Sequence, residues 1–76
     1  MSNKLPILSS RDFIKFLISK GFVYDHTRGS HHVYKLGDRM VTVPERRKGE
    51  IKTGLLNGML IEAGFTREDL INWWNS

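Results

Sequence analysis

Two adjacent histidines, His31 and His32, follow an arginine, a glycine and a hydroxyl in the segment Arg28-Gly29-Ser30-His31-His32-Val33-Tyr34. An imidazole titrates at about pH 6.5, so it takes or gives a proton at neutral pH with little tuning. Gly29 would let the backbone approach a phosphate closely. Arg28, Lys35 or Lys52 could offset the charge that builds on a phosphorane. RNA supplies its own nucleophile, the 2′-hydroxyl, so cleaving it needs little beyond a base, an acid and phosphate stabilisers. The residue types alone leave a plainer reading open, a surface histidine at the start of a strand.

Other chemistries find less support. Neighbouring residues of a strand point to opposite faces, so His31 and His32 cannot readily share one ion. Neither a His-x-His spacing nor a carboxylate cluster completes a site, and no metal or other cofactor is expected. Ser30 lacks a Gly-x-Ser-x-Gly setting, and the glycine fingerprints of dinucleotide and nucleoside-triphosphate sites are missing. With no cysteine, thiolate ligands, thiol nucleophiles and disulfides are excluded.

Charge points the same way as the histidines. The 76 residues carry a net charge of +4. Between Arg28 and Lys52, seven basic residues against three acidic ones hold that whole excess. A polyanion is the natural partner, nucleic acid first. The candidate RNA-binding set is Arg28, Gly29, Ser30, Lys35, Arg46, Arg47, Lys48 and Lys52. On charge alone, a solvated basic loop without a partner stays open. The apolar stretch Leu5-Pro6-Ile7-Leu8 is too short for a signal-peptide core, and no run approaches the ~20 apolar residues of a membrane span. A cytoplasmic protein without membrane contact is the expectation.

The elements that must position these residues are short. Residues 1–8 read as a flexible lead-in and 9–76 as a single domain. Ser9 and Asp12 fit a capping box, with Ser10 an alternative N-cap, and Phe13, Phe16 and Leu17 recur at helical spacing to about Lys20. Phe22-Val23-Tyr24 is β-prone, residues 25–30 are turn chemistry, and a second strand runs from His31 to about Leu36. Gly37-Asp38 reverses the chain into a third strand, Met40 to Val43, stopped by Pro44. A helix is expected from about Glu50 to Ala63, with Gly54 and Gly58 inside it for close packing. Thr66 and Asp69 begin a last short helix through Trp74. The fold class is therefore α+β, an antiparallel three-stranded sheet with helices on one face. Strand alternation sets His31, Val33 and Lys35 against His32, Tyr34 and Leu36. Neither set is cleanly apolar, so the face that carries His31 is left open.

Leu5-Pro6, Gly21-Phe22, Arg28-Gly29-Ser30-His31, Val41-Thr42-Val43-Pro44, Glu50-Ile51-Lys52-x-Gly54-x-Leu56 and Ala63-Gly64 occur in an order that resembles the HicA family, toxin halves of HicA–HicB toxin–antitoxin pairs. The resemblance covers nearly the whole chain. It implies a double-stranded-RNA-binding-domain-like fold and metal-independent mRNA cleavage that depends on the histidine of the Gly-Ser-His segment, here His31. His32 is a secondary candidate. It also implies a HicB-like antitoxin as partner. For the free toxin, whose oligomeric state the residues leave open, a monomer is the default expectation. The chain departs from the family pattern at Glu45-Arg46-Arg47, where many members carry a histidine or small residues, and at Gly54-Leu55-Leu56, where Gly-Thr-Leu is more usual. Two rivals are a non-catalytic RNA-binding module of the same fold and a protein–protein adaptor built on the Trp73–Trp74 tail.

Overall fold

A computed structural model describes residues 5–45 and 50–76. The elements run α1 (Ser10–Ser19), β1 (Val23–Arg28), β2 (His31–Leu36), β3 (Arg39–Pro44), α2 (Thr53–Ala63) and α3 (Arg67–Trp74). The strands form one antiparallel sheet in the order β1-β2-β3. This is the expected helix, three strands, helix and short helix.

Both capping boxes form as the residue types require. Ser9 Oγ accepts from the Asp12 N–H at 3.2 Å while the Asp12 carboxylate accepts from the Ser9 N–H at 3.2 Å. Thr66 and Asp69 repeat the exchange at the head of α3. Ser10, the alternative cap, is instead buried and donates to the Pro44 carbonyl at 2.6 Å, tying α1 to the end of β3.

The core lies between the helices and one face of the sheet. Phe13, Phe16 and Leu17 of α1 meet Tyr34, Val41 and Val43 of the sheet and Leu56, Met59 and Leu60 of α2. Phe16 is its aromatic hub, edge-on to Phe65 at 5.2 Å and to Trp73 at 5.4 Å. Trp73 is thus half-buried against the core, whereas Trp74 is 44% exposed.

Four expectations change. Of the expected lead-in, residues 1–4 lie outside the described residues, while residues 5–8 join the fold: Leu8 is fully buried and its carbonyl accepts from the Ile51 N–H at 2.7 Å. Lys52, the N-cap, is extended, so α2 begins at Thr53 rather than near Glu50. Residues 25–28 are strand rather than turn, because pairing with β2 continues to Arg28 opposite His31. Lastly, Gly54 and Gly58 do not serve close packing: both are exposed, and a Cβ on either would meet nothing within 4 Å.

Gly58 therefore carries the conformational penalty of a helical glycine with no compensating contact. Gly58→Ala is expected to raise unfolding free energy by about 0.5–1 kcal/mol in urea titrations. A loss of stability would show that the site needs a glycine.

Candidate functional site

Two clefts lie on opposite sides of the sheet, and each holds one of the adjacent histidines. His31 lies on the face away from the helices, in a cleft of about 340 Å³ lined by His26, Arg28, His31, Val33, Met40 and Thr42. His32 lies on the helix side, in a cleft of about 620 Å³ lined by Ser9, Ser10, Arg11, Ile14, Lys15, His32 and Glu45. The face of His31, which alternation alone left open, is settled by its neighbours. Tyr34 belongs to the core, so His32 shares its side and His31 takes the other.

Local sequence explains how the open cleft is built. Gly29 and Ser30 form a two-residue hairpin loop between Arg28 and His31, which pair directly across β1 and β2. Gly29 has φ +61, while no residue other than glycine has positive φ among those described. A positive φ at the first loop position alone is the mark of a type II′ turn, whose twist matches that of the strands it joins. A Cβ at Gly29 would meet nothing within 4 Å, so the demand is conformational rather than one of space. The loop is then fastened from just beyond β3, where the Glu45 N–H donates to the Ser30 carbonyl at 2.6 Å.

A register shift completes the arrangement. Tyr24 pairs with Tyr34, but His26 pairs with Val33, so Asp25 is an extra residue in β1. Strict alternation would place Tyr24 and Thr27 on opposite faces; the bulge brings them to one. Tyr24 Oη lies 2.6 Å from Thr27 Oγ1, and Thr27 Oγ1 lies 2.9 Å from His32 Nδ1. The Nε2 of His32 is 4.0 Å from the Glu45 carboxylate. His26 and Arg28 are accordingly turned to the open face with His31.

Charge on the open face is partly matched. The Asp25 carboxylate contacts His26 Nδ1 at 2.6 Å and Lys35 Nζ at 3.5 Å. The hydrogen bond with His26, and then the positive charge of Lys35, hold the Asp25 carboxyl below its ordinary value of 3.8. Lys35 shares the face but belongs to this pair, leaving Arg28 as the cation that lines the cleft. Val33 is only 6% exposed yet stands apart from the main core, forming an apolar floor beneath the polar groups.

Of the residues singled out in the sequence, Arg28, Gly29, Ser30 and His31 come together at one hairpin end. Lys52 takes the N-cap position of α2 without a side-chain cap bond and lines neither cleft. Arg46, Arg47 and Lys48 lie outside the described residues. Arg39, counted in the basic run, donates from its guanidinium to the Ala63 carbonyl at 3.3 Å, at the C-terminal end of α2. His26 falls within the expected turn of residues 25–30. The signal that could have placed it is the two-residue Gly29-Ser30 loop: counting back from it sets Arg28 opposite His31 and His26 opposite Val33. Among the described residues, no three His, Cys, Asp or Glu side chains converge as a metal site. Nor is any helix among them long and apolar enough to cross a membrane.

Fold and clefts define a small α+β domain with a polar, histidine-bearing open sheet face. A family model described as HicA toxin of bacterial toxin-antitoxin matches residues 10–65, from α1 past α2. The chain belongs to this family, the toxin side of a toxin–antitoxin pair, and an antitoxin is the implied partner. No curated protein matches the chain.

Because the lowered Asp25 value reflects stabilisation of its charged form, the contacts with His26 and Lys35 hold from neutral pH down past 3.8. They fail only as acid protonates Asp25 at its lower folded value. In NMR titrations, His26→Ala is expected to move the Asp25 carboxyl up towards 3.8. An unchanged midpoint would show that the His26 contact is not what lowers it.

Proposed function

We propose that the protein is an mRNA-cleaving toxin of a double-stranded-RNA-binding-domain-like fold, in which His31 transfers a proton during metal-independent attack of the ribose 2′-hydroxyl on its own phosphodiester. The observation that carries this reading is the tight Gly29–Ser30 turn, which presents His31 directly across from Arg28 on an open face. Substrate on that face meets an imidazole for proton transfer and a guanidinium for the charge that develops on phosphorus. The 2′-hydroxyl is the nucleophile, so the reaction draws on no metal-activated water.

In this reading Arg28, Gly29 and Ser30 contact the scissile region. Lys35 and Lys52, with Arg46, Arg47 and Lys48, hold the rest of the RNA backbone. His32 is the secondary candidate, reached from the α1 side. A HicB-like antitoxin neutralises the toxin in the cytoplasm by covering the His31 face. It has positive charge to mask, so acidic groups are expected in its contact surface. The free toxin is read as a monomer.

The test is cleavage of a mixed-sequence RNA in excess EDTA. Wild-type protein is expected to leave 2′,3′-cyclic phosphate and 5′-hydroxyl ends, with His31→Ala slower by about 10²–10⁴-fold. Equal cutting by both would move the chemistry to another residue, His32 first. RNA binding by both without cutting would favour a non-catalytic binding module.

A further inference from the structure

Cleavage by a 2′-hydroxyl requires two proton movements, one from the 2′-oxygen and one to the departing 5′-oxygen. His31 accounts for one. The chain has three histidines, and His32 lies across the sheet on the helix side. We propose that His26 is the second proton-transfer residue, the general acid for the leaving 5′-oxygen, and that Asp25 is its positioning residue. The proposal rests on the His31 reading above.

Geometry brings the two rings to one cleft. The register shift at Asp25 turns His26 to the open face, where it pairs with Val33, two residues along β2 from His31. Such diagonal neighbours on one face of a sheet are about 7–8 Å apart, leaving room for one phosphodiester between the rings. Arg28 adjoins both: it pairs with His31 and is two residues from His26 on the same face. His26 is also open to substrate, its side chain 51% exposed.

Asp25 gives His26 a defined orientation. Its carboxylate lies 2.6 Å from His26 Nδ1 and is itself held by Lys35 Nζ at 3.5 Å. With Nδ1 committed, Nε2 is the atom left to exchange a proton, the same logic by which a carboxylate sets the working nitrogen of other functional histidines. When the ring is protonated the contact becomes an ion pair, which suits a residue that begins the reaction as the acid. The charged and titratable groups facing His26 are Asp25 and Arg28 from β1 and His31 and Lys35 from β2. From β3 the cleft receives Met40 and Thr42, which are uncharged.

The step balances without a co-reactant. The 2′-oxygen loses its proton to an unprotonated ring nitrogen of His31 and bonds to phosphorus. The bond from phosphorus to the 5′-oxygen breaks, and the His26 proton moves to that oxygen. The products are a 2′,3′-cyclic phosphate and a 5′-hydroxyl. Exchange with water then returns both rings to their starting states.

A paired-substrate experiment tests the acid role. One substrate is ordinary RNA, and the other carries sulfur in place of the leaving 5′-oxygen. A thiol is far more acidic than an alcohol, at about 8.5 for a cysteine side chain, so the thiolate departs without a proton. His26→Ala is expected to cut ordinary RNA about 10²–10³-fold slower and the sulfur substrate near the wild-type rate. Asp25→Asn should show a smaller loss with the same relief, and His31→Ala should be slow on both substrates. Relief on the sulfur substrate also certifies that the variants are folded. Wild-type cutting of ordinary RNA by His26→Ala, or an equal loss on both substrates, would overturn the acid role while leaving His31 in place. If wild-type protein cuts neither substrate, the His31 reading fails and the acid role fails with it.

Discussion

One face of the sheet must lie under the helices, and a strand's period of two then decides every residue on the other. Tyr34, Val41 and Val43 are the residues that meet α1 and α2, and Val41 and Val43 are fully buried. Their burial sends His31, Val33 and Lys35 to the open side and His32 to the helix side. A slip of one residue in the β2–β3 register would exchange the two sets and bring Val33 or Lys35 to the core position held by Tyr34. The packing that stabilises the domain is therefore also what aims the two histidines.

Among the described residues, the bulge at Asp25 is the single exception to that alternation, and the site depends on it. It gives β1 one residue more than its partner, which reverses the facing of everything from His26 to Arg28. Two networks follow. Tyr24 and Thr27 join His32 on the helix side, while His26 and Arg28 join His31 on the open side. Bulges re-aim side chains in this way at the cost of one unpaired position. Here that position is Asp25, whose carboxylate holds the ring next to it.

Membership of the HicA toxin family sets these networks in a toxin–antitoxin context. The basic excess of the middle third is not uniformly available to a polyanion. Arg39 is turned to the end of α2 and Lys35 is paired with Asp25, whereas Arg28 stands in the cleft beside His31. Net charge alone overstates how much positive surface this face offers, because charges that complete local pairs are already partly neutralised.

Much of the fold was legible in the residues themselves. Capping pairs at Ser9 and Thr66, glycines at chain reversals and helical apolar spacing are local signals, and each acts through bonds within a few residues of chain. With the β-prone runs they gave the order of the helices and strands, and the family resemblance pointed to His31. What they could not carry was parity and pairing. The length of β1 came from its partner strand, the start of α2 from the Leu8 carbonyl, and the anchoring of residues 5–8 from a core assembled by distant elements. The face of His31, and the presence of His26 beside it, were decided only when the sheet chose a side to bury and β1 took in one extra residue. Register is a property of two strands together, so neither strand's sequence holds it alone.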